Sequence, residues 1–216
     1  MLPRHRSALW AARLAALSWA ADQINQASQA WDELSDSLCD ESGWPRDAEG
    51  YGWRQAARDV AAWEGLEVFL DHGTAVLAAV QASDLGWFPS EFPDGLHLLD
   101  RLGEALTGAE QVRREWDTVF GFLRSKDPTL AAPVLMLHAA HARGAEGWSY
   151  ATEAAAALPA LLAAADPISA QQAARHSAAA RTRAALARTP STARIPPVPS
   201  SAPVSASAER TSHRGR

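Results

Sequence analysis

The feature that most limits how this chain can fold is a series of long apolar seams spaced in steps of three and four. The first runs through Leu14, Leu17, Ala21, Ile24, Ser28, Trp31, Ser35 and Leu38. Such spacing keeps every member on one side of an α-helix. Ser7 is placed to cap that helix, and Gly43, Trp44 and Pro45 stop it near residue 42. A second seam, Ala56, Val60, Trp63, Leu66 or Glu67, Leu70, Gly73, Leu77 and Val80, predicts a helix over 53–84. A third, Leu98, Leu102, Leu106, Ala109, Val112, Trp116, Val119 and Leu123, follows an N-cap at Asp94 and reaches about 125. Its other face carries Glu104, Glu110, Arg114, Asp117 and Arg124, a solvated surface.

A fourth helix begins after Asp127, with Pro128 in the first turn. Gly144 and Gly147 are expected to break it, Ser149 to restart it and Pro159 to kink it before it ends near Leu162. Asp166 followed by Pro167 repeats the cap-then-proline signal and opens an Ala/Arg-rich helix to about Arg188, whose large apolar residues are Ile168 and Leu186. From Thr189 onward the chain is mainly Pro, Ser, Ala and Arg, a composition that cannot offset the entropy of ordering. The expected fold is therefore all-α: an antiparallel four-helix bundle with a C-terminal helical extension and a disordered tail. The division is 1–166 as an acidic bundle, 167–188 as the Ala/Arg-rich helix and 189–216 as the disordered basic tail. Helix formers dominate, while Ile, Val and Thr, the material of strands, are scarce.

Charge is distributed unevenly. Residues 1–166 carry 24 acidic side chains against 12 basic ones, whereas 167–216 carry eight Arg against Glu209 alone. An acidic body repels phosphates, so contact with nucleic acid is expected only through the tail. Lys126 is the single lysine and Asn25 the single asparagine, a bias that points to a GC-rich bacterial genome. Cys39 is the only cysteine, which excludes an internal disulfide and suits a reducing, cytoplasmic compartment. Asp40 and Glu41 beside it disfavour a nucleophilic thiolate. The N-terminal run from Leu9 has the small and apolar residues of a secretory leader, but Arg13 interrupts it and the helical spacing continues past it. The longest uncharged apolar run, 154–165, is too short to span a bilayer.

Three patterns bear on chemistry. His138 and His141 are three residues apart and share a helix face, as two ligands of one divalent metal would. His72, beside Glu64, Glu67 and Asp71, is the candidate third ligand. The stretch HAAHARGAE resembles the closing motif His-x-x-His-His-Arg-Gly-Gln of DinB-like metal-binding four-helix bundles, with His138, His141, Arg143 and Gly144 at matching positions. The resemblance implies a metal-dependent helical enzyme with His72, His138 and His141 as ligands. It departs from the family at Ala142, where a ligand is expected, and at Ala145 in place of Gln. Glu64, Glu67 and Asp71 themselves read as a solvated acidic stripe on one helix face.

Trp63-Glu64-Gly65 has the Trp-x-Gly form found in the turn of small secreted helical hairpins, yet it falls inside a helical pattern, so it reads as a core Trp with room beside it. All nine tryptophans precede residue 149. Trp10, Trp31, Trp63 and Trp116 fit the seams and are core candidates. Trp19, Trp44, Trp53, Trp87 and Trp148 fall off the seams or at helix ends, and Trp44, Trp53, Trp87 and Trp148 are the candidates for partner contact, because exposed Trp is enriched at binding hot spots. No complete catalytic constellation is visible. The function expected from sequence is a non-catalytic interaction or scaffold protein that binds a protein partner or itself. The alternatives are the DinB-like metal enzyme and an accessory protein that contacts nucleic acid through its basic tail.

Overall fold

The computed structural model describes residues 3–83, 94–126 and 131–188, and within the helices it leaves the side chains of 3–6, 126, 131–132 and 185–188 undescribed. Among the described residues the secondary structure is helical: α1 (Pro3–Leu38), α2 (Ala48–Val68), α3 (Thr74–Gln81), α4 (Gly95–Lys126) and α5 (Ala131–Arg188). Residues Met1–Ala178 form one compact unit, and Ala179–Arg216 form a second in which 179–188 are helical. No helix among the described residues is long and apolar enough to cross a membrane. The expected turn at Asp127 and Pro128, Trp87, and the tail from 189 lie outside the described residues.

The first unit is an antiparallel four-helix bundle, and its side-chain contacts give the direction of every rod. Against α1, α2 descends: Gly65 faces Ala20 and Ile24, and further on Gly73 faces Leu17. Against α4, α5 descends: Trp116 bonds Glu146, and Arg101 bonds Glu153. Trp10 of α1 donates from Nε1 to Ser169 Oγ of α5 at 3.0 Å, and Arg58 lies on both Trp31 of α1 and Trp148 of α5, so that pair is antiparallel too. The diagonal helices α2 and α5 run parallel, with Gly144 on the Asp59–Val60 backbone and Gly147 on the Trp63 ring. Leu17, Ile24, Trp63, Leu66, Phe69, Leu102 and Leu161 are among the fully buried side chains of the shared core.

Between α2 and α3 the rod does not break. Phe69–Gly73 widens into a π-helical turn and the helix continues. The wider turn rotates the following residues, so that adjacent Phe69 and Leu70 are both buried, as is Gly73. The second seam thus holds across the whole rod, from Trp63 through Leu66 and Leu70 to Leu77 and Val80.

Two expectations are corrected. Helix α5 does not break at Gly144 and Gly147, does not restart at Ser149, and does not end before Pro167: it runs unbroken through both glycines and both prolines. The glycines are spaces for a neighbour. A Cβ at Gly144 would lie 2.8 Å from Asp59 C, and one at Gly147 would lie 2.6 Å from Trp63 Cζ3. A proline inside a helix costs about 3 kcal/mol, which the buried Leu158, Leu161 and Ala165 around these positions help to offset. The second correction is in α4, where Val119 is exposed and Phe120 is buried in its place. Phe120 packs under the Arg143 guanidinium, 4.9 Å from the ring centre, a cation–ring contact that Val119 has no ring to make.

The glycine spacing makes opposite predictions at two sites. Gly147→Ala should lower stability by about 1–3 kcal/mol through overpacking against Trp63. Gly121→Ala, with open space around it, should raise stability by about 0.5–1 kcal/mol from helix propensity alone. Urea unfolding of the two variants beside the parent checks the pair; equal responses would mean that Gly147 is not a packing site.

Candidate functional site

Most of the large apolar side chains that reach solvent gather at one end of the bundle. That end is built by the close of α1, the loop to α2, the close of α4 and the start of α5. It exposes Trp44, Trp53, Val134, Leu135 and Leu137, together with Leu34, Val119 and Phe122. Elsewhere only Leu9, Trp19 and Leu96 are exposed among large apolar residues of the described chain.

Trp44 is 72% exposed, yet its backbone is firmly held. Asp40 Oδ1 accepts from the N–H groups of Ser42 at 2.8 Å and Trp44 at 3.0 Å. The Asp40 N–H donates to the Trp44 carbonyl at 2.8 Å, and Arg46 N–H to the Leu38 carbonyl at 2.9 Å. Gly43, at φ 80°, supplies the left-handed residue that closes the turn. Asp47 then caps α2 by accepting from Gly50 N–H at 3.1 Å. Asp40 and Asp47 thus each use Oδ1 to bond the loop, and the result is an indole presented to solvent on an internally bonded turn.

Trp53 stands beside the histidine pair. Its ring centre lies 5.1 Å from that of His141 in an edge-on approach and 6.2 Å from that of His138. The two imidazole centres are 6.4 Å apart. With Glu49 and Gly52 these side chains line an open hollow of about 370 Å³. His72 does not join them. It lies in the π-helical turn, 19 residues along the same rod from Trp53, or about 28 Å at helical rise. Among the described residues no three His, Cys, Asp or Glu side chains converge in the manner of a metal site. A zinc ion takes at least three protein ligands, so the set His72, His138 and His141 is not assembled, and the hollow gathers two imidazoles, a carboxylate and an indole.

Behind this end stands a layer of cations on aromatic rings that sequence inspection missed. Arg58 lies 3.9 Å from the Trp148 ring centre and 4.9 Å from that of Trp31. Its Nε donates to Asp59 Oδ1 at 2.8 Å, and Nη2 reaches the same oxygen. Asp59, 2% exposed, is the only charged residue in the buried core of the described chain. Arg143 lies 4.8 Å from Trp63 and pairs with Glu67 at 3.4 Å, while Trp63 Nε1 donates to the same Glu67 oxygen at 2.7 Å. Asp71 takes Arg113 of α4 at 3.1 Å. The expected solvated stripe is therefore half engaged: Glu67 and Asp71 tie helices together, and Glu64 is exposed. Trp148, a candidate for partner contact, is half-buried under Arg58 and belongs to this layer. Trp31, a core candidate, is half-buried and meets Tyr51 edge-on at 4.9 Å. Arg143, singled out by the motif resemblance, lies on Trp63 and Phe120 and pairs with Glu67, while its buried Nε has no hydrogen-bond partner among the described residues.

These features define an antiparallel helical bundle with an apolar, tryptophan-bearing end. No family model, curated protein or solved structure matches the chain. The likeness to the DinB-like motif thus rests on His138, His141, Arg143 and Gly144 alone.

Removing one partner of a buried ion pair strands the other, a loss of about 3–5 kcal/mol. Asp59→Ala should therefore cost about 3 kcal/mol. Arg58→Met with Asp59→Ala should recover most of it, since a Met side chain keeps apolar contact with Trp31 and Trp148. Denaturant unfolding of the single and double variants tests this; simple additivity would show that the pair is not coupled.

Proposed function

We propose that this protein is a helical-bundle interaction module whose contact surface is the end of the bundle bearing Trp44 and the first turns of α5. The observation that carries this reading is Trp44: a large indole held in water by a loop whose bonds are already made. Fixing an exposed aromatic in advance removes part of the ordering cost of association. Trp is also the side chain most enriched among residues that dominate binding energy. Val134, Leu135 and Leu137 extend the apolar surface at the same end. Large apolar side chains gathered in water at one place mark contact sites on proteins. The occupant proposed is a protein partner offering an apolar face, and self-association is the competing outcome of the test.

The experiment pairs light scattering on the full chain with partner capture through a photoreactive residue at position 135, or at Glu104 on the solvated face of α4 as the control. Trp44→Ser with Leu137→Ser is compared with the parent. The expected result is a discrete partner captured from position 135 and not from 104, weakened at least tenfold by the double substitution with the melting temperature unchanged. A concentration-dependent dimer abolished by the same substitutions would assign the surface to self-association. Capture that ignores both position and substitution, or a monomer that captures nothing, would overturn the proposal.

A further inference from the structure

The apolar end of the bundle is strongly charged on one side. From residue 32 to residue 54, the close of α1, the loop and the first turns of α2 carry seven carboxylates against two guanidinium groups, Arg46 and Arg54. All nine of these side chains are exposed. Asp40 and Asp47 each use one oxygen to bond the loop. The other five, Asp32, Glu33, Asp36, Glu41 and Glu49, have no ion pair among the described residues. The exposed apolar residues of this side stand among them in the chain. Leu34 falls between Glu33 and Asp36, Trp44 between Glu41 and Asp47, and Trp53 shares a hollow with Glu49. The other side of the same end is balanced. Residues 114–125 of α4 expose Arg114 and Arg124 against Glu115 and Asp117, and residues 133–142 of α5 carry neither a carboxylate nor a guanidinium.

This charge selects among occupants. A second copy meeting this side about a twofold axis would bring the same patch to both faces and set seven carboxylates against seven. Like charges placed together across an interface oppose association. A neutral apolar face would strip water from the carboxylates and return no hydrogen bond or charge. Nucleic acid and anionic lipid are repelled. A segment that sets arginine or lysine beside its apolar residues satisfies both parts of the surface, and its charge also speeds the encounter.

We infer that the occupant of this end is a segment of a separate protein with an apolar face flanked by arginine and lysine. Its apolar residues pack on Leu34, Trp44 and Trp53, and its cations lie over the carboxylates of 32–49. The inference rests on the contact surface proposed above and adds the chemistry of the partner.

The probes are three fluorescein-labelled synthetic peptides of about 18 residues, five helical turns. The first has leucine on one face and lysine on the other. The second keeps the leucine face and has glutamate for lysine. The third keeps the lysine face and has serine for leucine. Binding to the full chain is read by fluorescence anisotropy. The leucine–lysine peptide is expected to bind one to one, at least tenfold more tightly than either of the others. Its affinity should fall at least tenfold between about 50 mM and about 500 mM salt. Asp36→Asn with Glu41→Gln and Glu49→Gln should weaken it at least fivefold, and Trp44→Ser should weaken it at either salt concentration. Asp100→Asn with Glu104→Gln, an exposed pair several turns back along α4, should leave it unchanged. A glutamate peptide that binds as tightly as the lysine peptide, and is lost with Trp44→Ser, would leave the contact surface standing and overturn the basic partner. Equal weakening by the α4 pair, equal binding of the serine–lysine peptide, or no binding of the leucine–lysine peptide at submillimolar concentration would overturn it as well. Binding indifferent to Trp44→Ser would overturn both this inference and the contact surface it rests on. The comparison of the three peptides needs only the parent protein, so the inference stays open to failure even if a variant does not fold.

Discussion

The bundle depends on how closely α5 approaches α2 across its diagonal. Four rods around one core normally leave the diagonal pairs apart, with large side chains filling the space between. Here the absence of a Cβ at Gly144 and Gly147 lets α5 rest on the α2 backbone at Asp59 and Val60 and on the face of Trp63. The same device recurs where Gly65 meets Ile24 and Gly108 meets the Tyr150 ring. Each glycine gives up roughly 1 kcal/mol of helix propensity, and in return a large side chain or a whole backbone seats against it. This is why an alanine-rich helix with few large apolar residues can still form a core wall: close approach replaces side-chain volume.

Close approach also explains the polar chemistry inside. Where α2 and α5 meet, long side chains must lie flat between the rods. Arginine suits this, because its planar guanidinium stacks on an indole while its edge serves a carboxylate. Arg58 on Trp31 and Trp148, and Arg143 on Trp63 and Phe120, do so. Asp59 and Glu67 then complete each stack. Each stack joins three helices, and the two together tie α1, α2, α4 and α5 behind the apolar end.

Much of the fold was legible because the seams are long and periodic. Leu17, Ile24, Trp63, Leu66, Leu102 and Leu106 were assigned inward by spacing and are buried. What spacing could not reveal is what a glycine or proline does in a helix already committed to packing. Gly144, Gly147, Pro159 and Pro167 have the local character of breakers, and only the tertiary contacts of α5 reverse that preference. The π-helical turn at Phe69–Gly73 was hidden for a related reason, since one wider turn leaves the apolar pattern on both sides intact. The candidate site was legible in part. Trp44 and Trp53 are exposed at one end as off-seam tryptophans should be, whereas Trp148 is covered by Arg58, a residue 90 positions away whose stacking no one-dimensional pattern encodes. His138 and His141 meet because one helix carries both. His72 stays apart because facing another rod is a matter of register, and its place in the π-helical turn lies several turns along from Trp53.

The two ends of the bundle differ for a reason that follows from this register. At the end where α2 and α5 both begin, the chain closes α1 to α2 through a short, internally bonded loop, and the core narrows to aromatic stacks before the helices finish. Apolar residues beyond the stacks, Leu135 and Leu137 among them, are not covered by another helix among the described residues and face water. At the opposite end, α1 and α5 are joined by Trp10 and Ser169, and the small Ala11 and Ala173 beside them leave space that neither helix fills. An excess of large side chains produces a projecting surface, and a shortage produces a hollow. Both the projecting apolar residues at one end and the unfilled space at the other follow from where the chain places its bulk along four antiparallel rods.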